Sequence, residues 1–144
     1  MSITLPHHIL YNAITMMKTR IDHINISVTN LDVSTSFFLD HFGFEIQDKQ
    51  HLEGKWLDDV VGLSGVDATY VQIALPETET KLELIEYHHP KGVEEASVGH
   101  SNAIGFRHIA IAVDDIEQKV KTLLVSGVHF FSEIQDYKTK KLVY

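Results

Sequence analysis

The segment 21–28 alternates between apolar and polar side chains. The apolar positions are Ile24, Ile26 and Val28, and the polar positions are His23, Asn25 and Ser27. A period of two is typical of a β-strand with one apolar face. The apolar row predicts contact with a core or a helix, whereas the histidine and small polar groups of the other row favour a polar cavity.

The same pattern returns at residues 106–113. Ile109, Ile111 and Val113 form the apolar row there, and His108 opens the row that faces away from it. In both segments a histidine therefore begins the polar face. Each segment precedes a helical pattern, so the sequence indicates a duplicated strand–helix unit.

Two helices follow these strands. An amphipathic helix is predicted over 33–41, with Asp32 as its N-cap and Gly43 at its C-terminal turn. A second helix is predicted over 116–126, capped by the aspartate pair that precedes it and ended by Gly127.

The remaining patterned segments predict further strands. They cover residues 44–47, 67–75, 81–88, 128–133 and 140–144. Loops are predicted over 51–66, with one helical turn, and over 89–104. The element order is β-α-β-β-β, then β-α-β and the start of another strand, which predicts an α+β fold of two paired modules.

We expect one folded domain over residues 21–144, preceded by an N-terminal extension over 1–20 in which a short helix is predicted. An alternative natural start within that extension stays open. In the domain, module one covers 21–88, a linker loop covers 89–104, and module two covers 105–144 and is incomplete.

Composition narrows the classes of partner. The chain has 144 residues, a formal net charge of −8 and no cysteine. The negative charge argues against a nucleic-acid or anionic-membrane partner, and no apolar run approaches the ~20 residues that span a bilayer. Without cysteine, disulfides and thiolate metal sites are excluded, and we expect a reducing, cytoplasmic compartment.

Two histidines at equivalent positions of a repeat are a candidate metal-binding pair. A lone strand histidine is more often a satisfied or surface residue, and the chain has ten histidines. His23 and His108 would approach each other if the paired faces meet, and neutral imidazole is a common metal ligand. Glu83 is the best carboxylate candidate because it lies in an otherwise apolar strand, where an acid needs a partner. Its competitor, Glu86, falls on the opposite face.

These features together resemble the vicinal oxygen chelate superfamily, which includes glyoxalase I, methylmalonyl-CoA epimerase, extradiol dioxygenases and the fosfomycin and bleomycin resistance proteins. The matching motifs are Asp22-His23-Ile24, Leu82-Glu83-Leu84, Arg107-His108-Ile109-Ala110 and Val113-Asp114-Asp115-Ile116. The resemblance covers residues 21–144 and is closest to glyoxalase I-like proteins. It implies two paired βαβββ modules that form a curved open sheet.

The resemblance also implies a metal centre and a chemistry. Its pattern makes His23, Glu83 and His108 ligands of a divalent ion, and Ni²⁺, Co²⁺, Zn²⁺, Mn²⁺ and Fe²⁺ all suit such ligands. The family's fourth ligand is a Glu on an eighth strand. We expect that the residues up to Tyr144 do not include this strand. The implied enzyme is a lyase or isomerase that acts on a small substrate with adjacent oxygens through a metal-stabilised enediolate. Glu83 is the candidate catalytic group.

Three other functions stay open: a non-haem iron dioxygenase, a methylmalonyl-CoA epimerase-like isomerase, and a metal-free resistance-type protein that sequesters a ligand. Asn25, Ser27, Gln72 and Trp56 are candidates for the substrate pocket. Asn25 and Ser27 could equally serve packing or hydration. For Trp56 the alternative is a contact in the core or in a dimer. His88 is interpreted as an exposed histidine beside the long loop. A homodimer is expected from the resemblance.

Overall fold

The computed structural model of the chain describes residues 20–94, 100–106 and 108–144. The strands are β1 (His23–Ser27), β2 (Glu45–Glu53), β3 (Asp67–Ala74), β4 (Lys81–His89), β5 (Gln135–Tyr137) and β6 (Lys140–Leu142). The helices are α1 (Leu31–Phe42), α2 (Lys55–Val61) and α3 (Ile116–Val125). They form an α+β fold with open sheets, which confirms the predicted fold class.

The first module folds into a four-stranded mixed sheet in the order β1-β4-β3-β2. β1 runs parallel to β4, and β4, β3 and β2 are successively antiparallel. The register places Glu83 opposite Asn25 on one side and opposite Gln72 on the other. Three polar side chains from three strands therefore form one row across the sheet.

Both faces of β3 and β4 are covered by apolar groups. On one face, α1 packs over a core cluster made of Leu31, Phe44, Val71, Ile73, Leu82 and Leu84. On the opposite face, α2 packs over a second cluster made of Leu57, Val66, Ala68 and Ile85. The two central strands are therefore the most deeply buried part of the sheet.

The helix α1 begins two residues before the predicted start, and its N-cap is Asn30, so the prediction of Asp32 as N-cap is wrong. The Asn30 side chain accepts a hydrogen bond from the Val33 amide at 3.0 Å. The Leu31 amide, which also lacks an intrahelical partner, donates to Glu86 Oε2 at 2.9 Å. Gly43 ends the helix in the left-handed conformation, as predicted.

The predicted loop over 51–66 contains more regular structure than its sequence indicates. β2 continues through Glu53, and α2 follows with Trp56 in its first turn. β2 is an edge strand that pairs with β3 only, and its polar residues lie on both faces, which obscures the period-two pattern.

The second module keeps the predicted burial pattern without the predicted strands. Ile109 and Ile111 are half-buried and pack against the α1-side core cluster, whereas His108 and Ala110 are exposed. However, 108–113 and 128–133 form no ladder with any described strand, so their backbone is not part of a sheet. α3 is confirmed, with Asp115 as its N-cap, and β5 and β6 form a separate hairpin.

The helix predicted in the N-terminal extension lies outside the described residues, as do parts of the linker loop and Arg107. In the part of the chain that the structure describes, none of the helices is long and apolar enough to cross a membrane. The division into modules stays a prediction.

The N-cap assignment can be tested by substitution. Asn30→Ala is expected to lower the free energy of unfolding by about 1 kcal/mol, because an orphan amide of α1 loses its acceptor. The measurement is urea-induced unfolding at high salt. The matched control is Asp32→Ala, whose side chain is 90% exposed; its loss is expected to be below about 0.5 kcal/mol, since salt screens its interaction with the helix dipole. Equal losses in the two variants would contradict the assignment.

Candidate metal centre

Glu83 is the centre of a polar network on the sheet face opposite α1. Its Oε1 accepts from Asn25 Nδ2 at 2.9 Å, and its Oε2 accepts from Gln72 Nε2 at 2.8 Å. The Lys81 ammonium in turn donates to Gln72 Oε1 at 3.4 Å. The Glu83 side chain is only 16% exposed, so these contacts hold the carboxylate in one orientation.

His23 lies beside this carboxylate at the start of β1. Its Nε2 is 3.8 Å from Glu83 Oε1, and its Nδ1 is 3.1 Å from Asp22 Oδ2. When Nδ1–H donates to Asp22, Nε2 carries the lone pair that faces Glu83, which is the arrangement of a metal-binding histidine oriented by a carboxylate. The hydrogen bond from His23, together with one from Arg20, holds the pKa of Asp22 below its ordinary value.

His23 and Glu83 fit two coordination positions of a divalent ion. With bonds of about 2.1 Å, neighbouring ligand atoms lie about 3.0–3.6 Å apart, and the observed 3.8 Å is a few tenths of an ångström longer. An imidazole nitrogen and a carboxylate oxygen suit divalent ions of intermediate hard–soft character, such as Zn²⁺, Ni²⁺ and Co²⁺. The donor set and its spacing are therefore compatible with the expected metal.

Of the other predicted residues, the structure brings Asn25 and Gln72 to this pair but not His108, Ser27 or Trp56. His108 lies in the wall of a separate cavity of about 570 Å³ in the second module, with its ring edge-on to Tyr144 at 5.8 Å between centroids. Ser27 is exposed at the end of β1, and Trp56 is 57% exposed on α2. The assignment of all these residues to the site stays a prediction.

Tyr70 and Asp48 extend the polar face towards the edge of the sheet. The Tyr70 hydroxyl donates a short hydrogen bond to Asp48 Oδ2. This bond, with burial and the negative charges of Asp48 and Glu83, raises the pKa of Tyr70 to about 12. The same bond, followed by one from Gln50, lowers the pKa of Asp48.

A second cluster of potential ligands lies at the end of the sheet where β2, β3 and β4 meet. Within residues 20–94, 100–106 and 108–144, His51, Asp67 and His88 are the one set of three histidine or acidic residues whose ligand atoms lie within 4.8 Å of one another. This triad could hold a metal ion. No ligand atom of His108 completes such a set with His23 and Glu83.

The sequence interpretation missed this triad. It placed residue 51 in a loop, whereas His51 lies in β2, and it interpreted His88, at the end of the predicted strand 81–88, as exposed, whereas His88 is half-buried. The register shift between Asp67 and Ala68, where the chain of β4 has an extra residue, brings His88 beside Thr69. The signal in the sequence was the presence of ligand-type residues at two predicted strand ends, with Asp67 at the start of 67–75 and His88 at the end of 81–88.

Comparison with known proteins gives one family. A family model described as the Glyoxalase/Bleomycin resistance protein/Dioxygenase superfamily matches residues 20–144. A comparison with curated proteins gives no significant sequence match. The family match covers both modules of the domain predicted over 21–144.

Solved structures share the fold. A glyoxalase family protein from Bacillus cereus is 26% identical with a TM-score of 0.80, over 87% of this chain and 84% of that chain. The trypanothione-dependent glyoxalase I of Leishmania major is 23% identical with a TM-score of 0.57, over 88% and 78%. A variant of the fosfomycin resistance protein FosX from Listeria monocytogenes, in complex with Mn(II) and 1S,2S-dihydroxypropylphosphonic acid, is 17% identical with a TM-score of 0.52, over 89% and 85%. The last two likenesses, at low identity, show the fold alone.

The Tyr70–Asp48 pair gives a test of the polar face. Ultraviolet titration of the folded protein is expected to show one tyrosine with a pKa of about 12, and Asp48→Asn is expected to return it towards the ordinary value of 10.0. Because the folded-state pKa is raised, the stabilisation from this pair is complete below pH 10 and is lost as pH rises through about 12.

Tyr70→Phe identifies the titrating group, since the late transition should disappear in that variant. Asp32→Asn, an exposed aspartate on α1, is the matched control and should leave the transition unchanged. A late transition that survives Asp48→Asn would contradict the assignment of its cause.

Proposed function

The chain belongs to the Glyoxalase/Bleomycin resistance protein/Dioxygenase superfamily, and we propose that it is a metal-dependent lyase or isomerase of the glyoxalase type. Its substrate is a small molecule that presents two adjacent oxygens, one of them a carbonyl. The reaction is a proton transfer at the carbon next to that carbonyl.

The observation that carries this proposal is the contact between His23 and Glu83. The two side chains come from adjacent parallel strands, and Nε2 of the histidine faces Oε1 of the carboxylate at 3.8 Å. Asp22 holds the far nitrogen of the imidazole. A catalytic metal site keeps open positions for water or substrate, and a site built on these two side chains has several.

Three side chains of the network have separate roles in the proposed reaction. A bound divalent ion supplies Lewis-acid polarisation of the carbonyl. Glu83 would accept the proton from the neighbouring carbon after leaving the metal, because its carboxylate lies next to the proposed binding position. Asn25 and Gln72 each donate one amide hydrogen bond to that carboxylate, and so they orient its remaining lone pairs.

We include His108 as the third ligand in this proposal. It opens the polar row of the second module as His23 opens that of the first. Its ligation requires the segment 108–113 to move, since the ring now lies in the wall of the second-module cavity. The segment forms no ladder with the described strands, so this movement breaks no sheet hydrogen bonds among them. The homodimer expected from the resemblance stays a prediction.

Metal content and activity test the proposal. Untagged protein is expected to bind a borderline divalent ion and to exchange the substrate's carbon-bound hydrogen with deuterium from solvent, as measured by mass spectrometry on thiol adducts of 2-oxoaldehydes. His23→Ala and Glu83→Gln should each weaken metal binding by more than about 100-fold, since even outer-shell changes cost 10–100-fold. Both should abolish exchange.

Asp32→Ala is the matched control for these variants, because the Asp32 side chain is 90% exposed on α1, on the opposite side of the sheet from Glu83. It should keep metal content and exchange. Equal metal content and exchange in His23→Ala, Glu83→Gln and the unmodified protein would overturn the proposal. Oxygen uptake with catechols in place of exchange would favour the dioxygenase alternative.

The orienting role of Asp22 gives a separate prediction. Asp22→Asn is expected to weaken metal binding by 10–100-fold without removing a ligand, because the carboxylate that fixes the histidine tautomer is lost. The measurement is competition for metal against a chelator of known affinity. Arg20→Gln removes the other partner of Asp22 and is the control, with little change expected. A loss in Arg20→Gln as large as that in Asp22→Asn would contradict a specific role for the histidine contact.

A further inference from the structure

We infer that His51, Asp67 and His88 form a second binding site for a borderline divalent metal ion, separate from the His23–Glu83 centre. The three side chains come from β2, β3 and β4 and bring one ligand atom each within 4.8 Å of the others. This site does not depend on the proposed function, because it shares no residue with that centre.

The two sites lie on opposite faces of the same sheet. Asp67 and Thr69 alternate with Ala68 and Gln72 along β3, so they share the face of Val71, which packs under α1. His51 is paired with Thr69, and the Thr69 hydroxyl is 2.9 Å from His88 Nε2. Glu83 and its amide partners occupy the other face, so a metal at one site does not contact the ligands of the other.

Asp67 gives the strongest reason to place a cation here. Its side chain is 46% exposed as a whole, but its Oδ1 is inaccessible to solvent and has no hydrogen-bond partner. A buried carboxylate oxygen without a donor is costly, and His51 Nε2 lies 3.7 Å from it, beyond hydrogen-bond distance. A metal ion between the aspartate and the two imidazoles would satisfy this oxygen.

The surroundings keep the rings in place for such an ion. The His51 and His88 rings are stacked at 6.4 Å between centroids with planes 16° apart. Thr69 holds the His88 ring by a hydrogen bond, as outer-shell groups do for metal-binding histidines. His51 Nε2 is 3.7 Å from Asp67 Oδ1, close to the spacing of about 3.4 Å that tetrahedral coordination requires.

The ligand set indicates the class of ion. Two imidazole nitrogens and one carboxylate oxygen favour Zn²⁺, Ni²⁺, Co²⁺ or Cu²⁺ over Mg²⁺ and Ca²⁺, which prefer oxygen ligands alone. Three protein ligands leave a fourth position for water or for a donor from outside the chain. Two further carboxylates lie near the triad: Glu53 Oε2 is 3.9 Å from His51 Nε2, and Glu86 Oε1 is 3.9 Å from His88 Nδ1.

Zinc titration by calorimetry on the full, untagged chain tests this inference. Four proteins are compared: unmodified, Asp67→Asn, His23→Ala, and the double variant. Asp67→Asn is expected to remove one bound Zn²⁺, or to weaken it more than about 100-fold, both in the unmodified background and in the His23→Ala background. His51→Gln should have the same effect, and it is a second variant that should keep the fold, because the His51 side chain is 52% exposed.

His89→Gln is the matched control, since this neighbouring exposed histidine belongs to neither site and should bind Zn²⁺ as the unmodified chain does. In the His23→Ala background, the ¹⁵N chemical shifts of the His51 and His88 imidazole nitrogens should change on addition of Zn²⁺. If Asp67→Asn and His51→Gln both keep the unmodified stoichiometry and affinity, the second site is overturned. If Asp67→Asn and His51→Gln lose a bound Zn²⁺ while His23→Ala keeps the unmodified stoichiometry and affinity, the proposed function fails and the second site stands.

Discussion

The register that holds β4 between β1 and β3 is the constraint on which the candidate sites depend. Side chains alternate along a strand, so a slip of one residue would exchange the two faces of the sheet. Leu84 and Val71 are 0% and 1% exposed under α1, and a slip would expose them and bury Glu83 in their place. The hydrophobic core therefore fixes the position of the carboxylate, and Asn25 and Gln72 fix its orientation.

The same strands supply ligand-type side chains to both of their faces. On one face the donors surround a single carboxylate and leave an imidazole beside it. On the other, near the end of the sheet, a bulge in β4 and the pairing of β2 with β3 bring two imidazoles to an aspartate. The apolar clusters under α1 and α2 cover the same two faces of β3 and β4. Burial of the central strands thus separates two chemically distinct surfaces.

Alternation along the chain was sufficient to place His23 and Asn25 on one face of β1, and the apolar context of Glu83 was sufficient to select it. The face of Gln72 depended on strand pairing, which one segment alone does not reveal. Asn30 and Asp32 are both good N-caps, and the choice depends on Glu86, a tertiary contact that fixes the Leu31 amide. The triad at the sheet end required the length of a polar edge strand and the position of a bulge, and neither has a signal in hydrophobic periodicity.

β1 pairs with β4 alone among the described strands, whereas β4 is bonded on both sides and covered on both faces. Edge elements with few buried contacts open locally at a lower free energy than the core. His23 therefore lies on a strand that opens more easily, whereas Glu83 lies on a rigid one. Amide hydrogens of β1 should exchange with solvent well before those of β4, and the spacing of the pair can adjust to ions of different radius while Glu83 stays fixed.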